Sequence, residues 1–386
     1  MSTPPDRPRS QVVLVDEDEH LPLLADFVRQ VWSPKLRLED LRASRAEAAK
    51  RNPAVPGQTP PTFLFLLDGR AVGHLTTIPT RLQCGGWGGP AHWLKGFWVL
   101  PEHRNGPIGA MLVREAARHL DCLLATAVEE APRRVFGAFK MRDLGAFSEH
   151  VRLLRPDRVL QRLDPSGFAS GSRVAMRAAL GLARLPGLSH LGGALLRAAL
   201  AIRGSTAMGE RDLRVETDPQ DETGLDALWT RVAAELSCTP VRDAAYLRHV
   251  YGRSPGTVHR VVVLKRGGEP VAWASVRRPR DGAGDPRLRG IRMATLSEVV
   301  VPVTRPNDAL ALIREAEAVA RDDGADVLLC SASHQMLQRC LSQRAFVSIG
   351  GRLHLSARGP KEGPPLPDSL DEWWLTRADG GADEGL

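Results

Sequence analysis

Tyrosine is nearly missing from this chain: Tyr246 and Tyr251 are the two in 386 residues, and aromatic residues of all kinds make up 5%. That scarcity removes an aromatic RNA-binding sheet from consideration and leaves the first half of the chain without a tyrosine acid or base. Cysteine is also sparse. Cys84, Cys122, Cys238, Cys330 and Cys340 are odd in number and far apart. No pair has metal-ligand spacing, so no metal is expected and the five read as small buried apolar residues. No stretch of about eighteen uncharged apolar residues occurs, which argues against a membrane span. The opening MSTPPDRPRS lacks the apolar core of a signal peptide. A cytoplasmic protein is the expectation.

The length of 386 residues suits two domains, each with its own core. With 43% hydrophobic and 25% charged residues, the balance is that of a globular protein. The formal net charge of +7 favours an anionic partner. The arginines are scattered, and no helix-turn-helix or zinc-finger pattern accompanies them, so nucleic acid is not expected. A cofactor carrying several phosphates fits the charge equally well.

Periodicity gives a strand at Val12–Val15, a helix to about Trp32, and a second, alanine-rich helix over Glu39–Lys50. Phe63–Leu67 and Ala71–Leu82 flank Asp68-Gly69, a hairpin signal. A glycine-rich loop leads to a strand over His92–Leu100. A helix carrying Ile108, Met111, Leu112 and Ala116 on one face follows, then a strand at Cys122–Val128, a helix over Pro132–Leu144 and a strand from Phe147. The second half repeats this order, from Leu213–Glu216 through the pair His259–Leu264 and Val271–Arg277 to a closing hairpin after Phe346. Two copies of one order imply an internal duplication. The boundaries expected are 1–165 for the first domain, 166–205 for a helical linker, 206–358 for the second domain and 359–386 for a tail. The linker, spotted with arginine and leucine over Ser172–Ile202, reads as a pair of packed helices. A basic amphipathic element touching a membrane surface is the minor alternative. Trp373 and Trp374 are expected to dock on the body.

The segment that carries chemistry runs from the strand through Pro101-Glu102-His103-Arg104-Asn105-Gly106-Pro107-Ile108-Gly109-Ala110 into a helix. A glycine-rich turn opening a helix presents unpaired N–H groups and the positive end of the dipole to an anion. Gly106 and Gly109 allow close approach, and Arg104 can pair with phosphate. Val99-Leu100-Pro101-Glu102-His103-Arg104 with Ile108-Gly109-Ala110 resembles motif A of the GNAT superfamily of acyl-CoA N-acyltransferases. The order of elements over both halves is similar too, as is Leu144-Gly145-Ala146-Phe147 to the Leu-Gly-Phe that closes the family's last helix.

The resemblance implies an α/β (α+β) fold: two tandem GNAT-like domains, each a mixed, mostly antiparallel sheet flanked by helices. It also implies acetyl-CoA or another acyl-CoA as co-substrate in the first copy. Arg104, Asn105, Gly106, Ile108, Gly109 and Ala110 would then cradle the pyrophosphate. The backbone of Phe97, Trp98 and Val99 would hold the pantetheine arm. Pro107 stands where the family has its first motif glycine, removing one N–H donor. The second copy keeps Arg305 but has Asp308, which would repel phosphates and is placed to cap its helix. That copy is expected to be a degenerate structural or substrate-binding domain.

Aminolysis of a thioester needs a group to take a proton from the amine. The family's strand carboxylate and helix tyrosine have no match here, because Lys95-Gly96 and Met141 occupy those places. Glu129, Lys95 and His92 are the catalytic candidates, with Glu129 foremost and His74 read as a hydrogen-bonded core histidine. The expected activity is transfer of an acyl group to the amine of a small molecule, amino sugar or amino-acid-like acceptor. A non-catalytic tandem protein that binds CoA or a metabolite is the alternative. An aminoacyl-tRNA-dependent transferase is a third reading, opposed by the retained loop. The cluster Tyr246, Arg248, His249, Tyr251 and Arg253 is expected to face the acceptor.

Overall fold

A computed structural model describes residues 10–127, 129–162, 212–219, 221–252, 258–282, 288–381 and 383. The expected linker helices and Arg253 lie outside the described residues. The chain forms two compact units, Met1–Ala146 with Leu353–Asp368, and Phe147–Arg352 with Ser369–Leu386. Among the described residues no helix is long and apolar enough to cross a membrane. All five cysteines are buried, and Cys122, Cys330 and Cys340 are free thiols.

The first unit is built on a sheet whose strands lie in the order Ser10–Leu14, Thr62–Leu67, Arg70–Cys84, Trp87–Val99, Leu123–Ala127, His354–Arg358 and Arg142–Ala146. Alternation along Thr62–Leu67 sends residues to both faces. Phe63 and Phe65 join a core with Leu75, Leu94 and Leu112, while Leu64 and Leu66 join another with Leu21 and Leu24. Helices therefore cover both faces. Leu21–Val31 and Leu38–Arg51 pack on one, and Ile108–His119 on the other.

Three local readings differ from the structure. The glycine-rich stretch is a tight hairpin turn at Gly85-Gly86, both with positive φ, so the following strand begins at Trp87. The helix expected over Pro132–Leu144 spans Glu130–Ala138, and Lys140 at φ 63° ends it. Leu144-Gly145-Ala146 consequently lies in a strand rather than at a helix end.

The second unit repeats the order with Leu213–Thr217, His259–Arg266, Glu269–Asp281, Arg292–Val300, Val327–Ala332, Ser148–Leu153 and Val347–Ser348. The sixth strand of each sheet thus comes from the opposite half of the sequence. The expected cuts after 165 and 358 put Ser148–Leu153 and His354–Arg358 with the wrong sheets. Hydrogen bonding decides the matter, because Ser148–Leu153 runs antiparallel to Val327–Ala332, and His354–Arg358 antiparallel to Leu123–Ala127.

Asp308 does not cap the helix Pro306–Asp322. It is buried and paired with Arg266 at 2.7 Å, and Arg305 is the N-cap residue, without a side-chain bond. Arg242, wholly buried, bonds Glu298 at 2.5 Å and Asp379 at 2.6 Å, and the Tyr246 hydroxyl donates to Glu298 at 2.8 Å. Tyr251 is buried in the same core, and Arg248 pairs with Glu222. Of the two tyrosines expected to face an acceptor, Tyr251 is a core residue of this unit and Tyr246 packs, partly buried, against that core.

Candidate acyl-CoA site

Two parallel strands that part company define the site. Trp87–Val99 pairs with Leu123–Ala127 at His92 with Leu123 and at Trp93 with Leu124. No pairing follows along Leu94–Val99. The cause lies on the other edge of the strand. There Lys95 pairs with Thr76 and Trp98 with His74, so two residues, Gly96 and Phe97, face Leu75 alone. Such a bulge bends its strand and strengthens its twist. Gly96 sits at φ 60°, a conformation that favours glycine.

His74 holds the bulge from the neighbouring strand, its Nδ1 lying 2.6 Å from the Gly96 carbonyl oxygen. Burial pushes its pKa down to about 4, against the opposing effect of that hydrogen bond, so the ring is neutral and Nδ1–H is the donor. A Cβ on residue 96 would lie 3.0 Å from the His74 ring. The imidazole also stacks on Phe27 with ring centroids 5.6 Å apart. His74 is therefore the hydrogen-bonded core histidine that the sequence suggested, and it supports the bulge.

Past the bulge, the Leu100 N–H bonds the Val72 carbonyl. Alternation then turns the main-chain groups of Val99 and Phe97 to the opposite edge, into the gap between the parting strands. Of the three strand residues expected to hold a pantetheine arm, Phe97 lies in the bulge and the Val99 carbonyl accepts from Arg104. Trp98 faces its partner strand.

The loop beyond the strand is a 3-10 turn, Pro101–His103, followed by a second turn in which the Gly106 N–H bonds the His103 carbonyl. The helix Ile108–His119 starts with Pro107 as its N-cap residue and has no side-chain cap and no acidic residue in its first turn. Its first repeating bond runs from the Met111 N–H to the Pro107 carbonyl, so the N–H groups of Ile108, Gly109 and Ala110 precede the ladder. Proline at the N-cap costs the helix nothing, because the first intrahelical bond needs only its carbonyl. An anion at this end meets three N–H groups and the dipole.

Gly109 has a structural reason. A Cβ there would lie 2.9 Å from Phe97 Cζ, so the helix end and the bulged strand are in contact through a missing side chain. Gly73 does the same one strand away, where a Cβ would fall 2.7 Å from Ile108 Cγ2. Gly106 has none of this: a Cβ would meet only the His103 carbonyl, at 3.4 Å. Arg104 is not poised over the helix end. Its Nε donates to the Val99 carbonyl at 3.1 Å and its guanidinium lies over the Trp98 ring, 4.6 Å from the centroid.

The three catalytic candidates are dispersed. His92 is buried at the point where the strands part, its Nδ1 without a hydrogen-bond partner, and burial lowers its pKa to about 4. Lys95 is half-buried on the strand, just before the bulge. Glu129 is an exposed N-cap residue of the helix Glu130–Ala138, and its carbonyl accepts from Arg133. A group that sequence reasoning missed stands beside it. Arg133 bonds Asp143 and His354, each at 2.9 Å, and His354 Nδ1 lies 3.1 Å from Asp143. Burial opposes ionisation of Asp143, but bonds from Gly145, His354 and Arg133 keep its pKa below the ordinary value. No local pattern could have announced the trio, because His354 is more than two hundred residues from its partners.

The profile of the Acetyltransferase (GNAT) family matches residues 26–134. The chain is similar to that family over this stretch. That match covers the helix Leu21–Val31 in part and runs through the parting strands and the loop. Among solved structures, N-myristoyltransferase of Saccharomyces cerevisiae with bound myristoyl-CoA is similar over 92% of this chain and 86% of its own, at 14% identity and a TM-score of 0.56. A probable N-acyltransferase of Enterococcus faecalis V583 is similar over 92% of this chain and 73% of its own, at 10% identity and a TM-score of 0.53. At those identities the likeness is one of fold. No curated protein matches the sequence.

Proposed function

We propose that the chain is an acyl-CoA-dependent N-acyltransferase whose acyl-CoA lies in the first unit, and that its acceptor is the amine of a small molecule. The observation that carries the reading is the gap between Trp87–Val99 and Leu123–Ala127, which opens beside a helix end with no side-chain cap. A pantetheine arm is a chain of amides. The edge of Phe97 and Val99 offers it strand-like hydrogen bonds, and the N–H groups of Ile108, Gly109 and Ala110 suit its pyrophosphate. The thioester then sits between the strands, where an N–H of the parted edge can polarise its carbonyl. Attack by the acceptor nitrogen forms the C–N bond and breaks the C–S bond, and the amine loses a proton. The family match and the two acyltransferase-like folds support this class of reaction. Neither fixes the acyl chain length.

The test has two parts. Calorimetry with acetyl-CoA and with longer acyl-CoAs is expected to show one site per chain. Release of free CoA thiol in the presence of a panel of primary amines then reports turnover. Absence of binding to every acyl-CoA would refute the proposal. Binding without thiol release would favour a non-catalytic CoA-binding protein, the reading supported by Glu129 being exposed and by His92 being buried and hard to protonate.

A further inference from the structure

Phe97 and Trp98 are consecutive on one strand and point to opposite faces of the sheet. Phe97 meets Gly109 and, at 5.7 Å between centroids, Phe136. Trp98 instead meets Trp32, at the end of the helix Leu21–Val31, edge to face at 6.3 Å. Trp32 in turn packs edge-on against His74 at 5.2 Å, and His74 holds the bulge. A line of rings therefore runs from the bulge to the surface on the side away from the phosphate-loop helix. Its outer members are large and open: Trp98 is 36% exposed and Trp32 46%. Among the described residues, the guanidinium of Arg104 lies on the Trp98 face.

We propose that the Trp98 face is a subsite for a positively charged group of the acceptor, and that Arg104 occupies it until acyl-CoA is bound. This rests on the reading of the first unit as the acyl-CoA site. The ring quadrupole attracts a cation of any origin, and the geometry already shows one bound. The acceptor of an aminolysis is an amine, so an acceptor with a second basic or quaternary nitrogen carries a charge that this ring can hold. Such a charge would approach from the face opposite the loop helix and leave the reacting nitrogen free to reach the bulge. Arg104 is attached to the loop that receives the phosphates. Its present partners are one carbonyl and one ring, both exposed, and a pyrophosphate offers a charge-assisted, two-pronged alternative that is stronger than either. Binding of acyl-CoA thus removes the guanidinium and uncovers the ring, which makes the acceptor the second substrate to bind.

The probe is benzyltrimethylammonium, a cation without an acidic hydrogen, titrated against the full chain and followed by tryptophan fluorescence and calorimetry. In the absence of CoA, the wild type is expected to bind it weakly, and Arg104→Ala at least fivefold more tightly. Arg104→Ala combined with Trp98→Leu should abolish that gain. Adding acetyl-CoA to the wild type should reproduce the gain. Equal affinity in the wild type and Arg104→Ala, or a gain that survives Trp98→Leu, would overturn the subsite even if acetyl-CoA binds normally. A gain with Arg104→Ala that acetyl-CoA cannot mimic, with no heat of acetyl-CoA binding, would keep the subsite and overturn the cofactor reading.

Discussion

Gly109 and Gly106 lie three residues apart in one loop, and only one of them is required by packing. At Gly109 an added Cβ runs into the Phe97 ring, and at Gly73 into Ile108 and Leu112, whereas at Gly106 it reaches no side chain. Gly73→Ala overpacks a site walled by Ile108, Leu112 and Phe65 and should cost about 1–3 kcal/mol, read as a lower melting temperature. Gly106→Ala should leave stability within about 0.5 kcal/mol of the wild type. If that glycine serves the approach of a phosphate, the same variant should still weaken acetyl-CoA several-fold. Unchanged affinity would show that Gly106 is incidental to binding. Asp379 makes a different kind of prediction. Burial, and the neighbouring Glu298, push its pKa up to about 7 although Arg242 and the Thr376 N–H pull it down. The ordinary carboxyl value is 3.8, so the folded chain holds this proton more tightly than the unfolded one. The stability that this contributes is full below about pH 4 and is lost as pH rises through about 7. Melting temperatures at pH 5 and pH 8 should therefore differ less in Asp379→Asn than in the wild type. An identical difference in the two proteins would remove Asp379 from the account.

The two units differ at the place where their parallel strands part. In the second unit Arg292–Val300 and Val327–Ala332 pair over Met293–Leu296 and Val327–Cys330, then part. The tail of the chain fills the opening. The Ala378 N–H bonds the Ser297 carbonyl, Thr376 bridges Ala332, and Trp374 Nε1 donates to the Val299 carbonyl at 2.9 Å. Ser297 is the bulge residue here, as Gly96 is in the first unit, so a piece of polypeptide takes the place proposed for pantetheine. The sequence pointed to Asp308 as the obstacle to a second site, but Asp308 is paired with Arg266, and it is the tail that occupies the opening. Docking of Trp373 and Trp374 was legible in their apolar bulk, but their destination was not, since the parting of two strands is a property of pairing and not of any one segment. Hydrogen-exchange mass spectrometry should accordingly show acetyl-CoA slowing exchange in peptides covering 97–110 and leaving 297–310 unchanged. Protection in both would mean that the tail can be displaced.

Over the whole molecule, the order of elements was readable and the membership of the units was not. Periodicity and turn residues located the strands of each half, because a strand announces itself within a few residues. Which sheet a strand joins depends on partners far along the chain, and the sixth strand of each sheet crosses over: Ser148–Leu153 pairs with Val327–Ala332, and His354–Arg358 lies between Leu123–Ala127 and Arg142–Ala146. Even Leu355 and Ala357, on the inserted strand, are core residues of the first unit's own sheet rather than an edge trimming. A fragment cut at the expected boundary, 1–165, therefore contains the proposed acyl-CoA loop yet lacks the strand that joins Leu123–Ala127 to Arg142–Ala146. A fragment 206–386 keeps that strand without a use for it and lacks Ser148–Leu153. Left with an open seam in its sheet, each fragment exposes unpaired N–H and C=O groups beside apolar residues and should aggregate or fail to give a cooperative thermal transition by circular dichroism. Co-expression of the two fragments should restore both a cooperative transition and acetyl-CoA binding, because each supplies the strand that the other is missing. If 1–165 alone melts cooperatively and binds acetyl-CoA with the affinity of the full chain, the crossed strands are dispensable to the first unit and its fold is specified by its own half of the sequence.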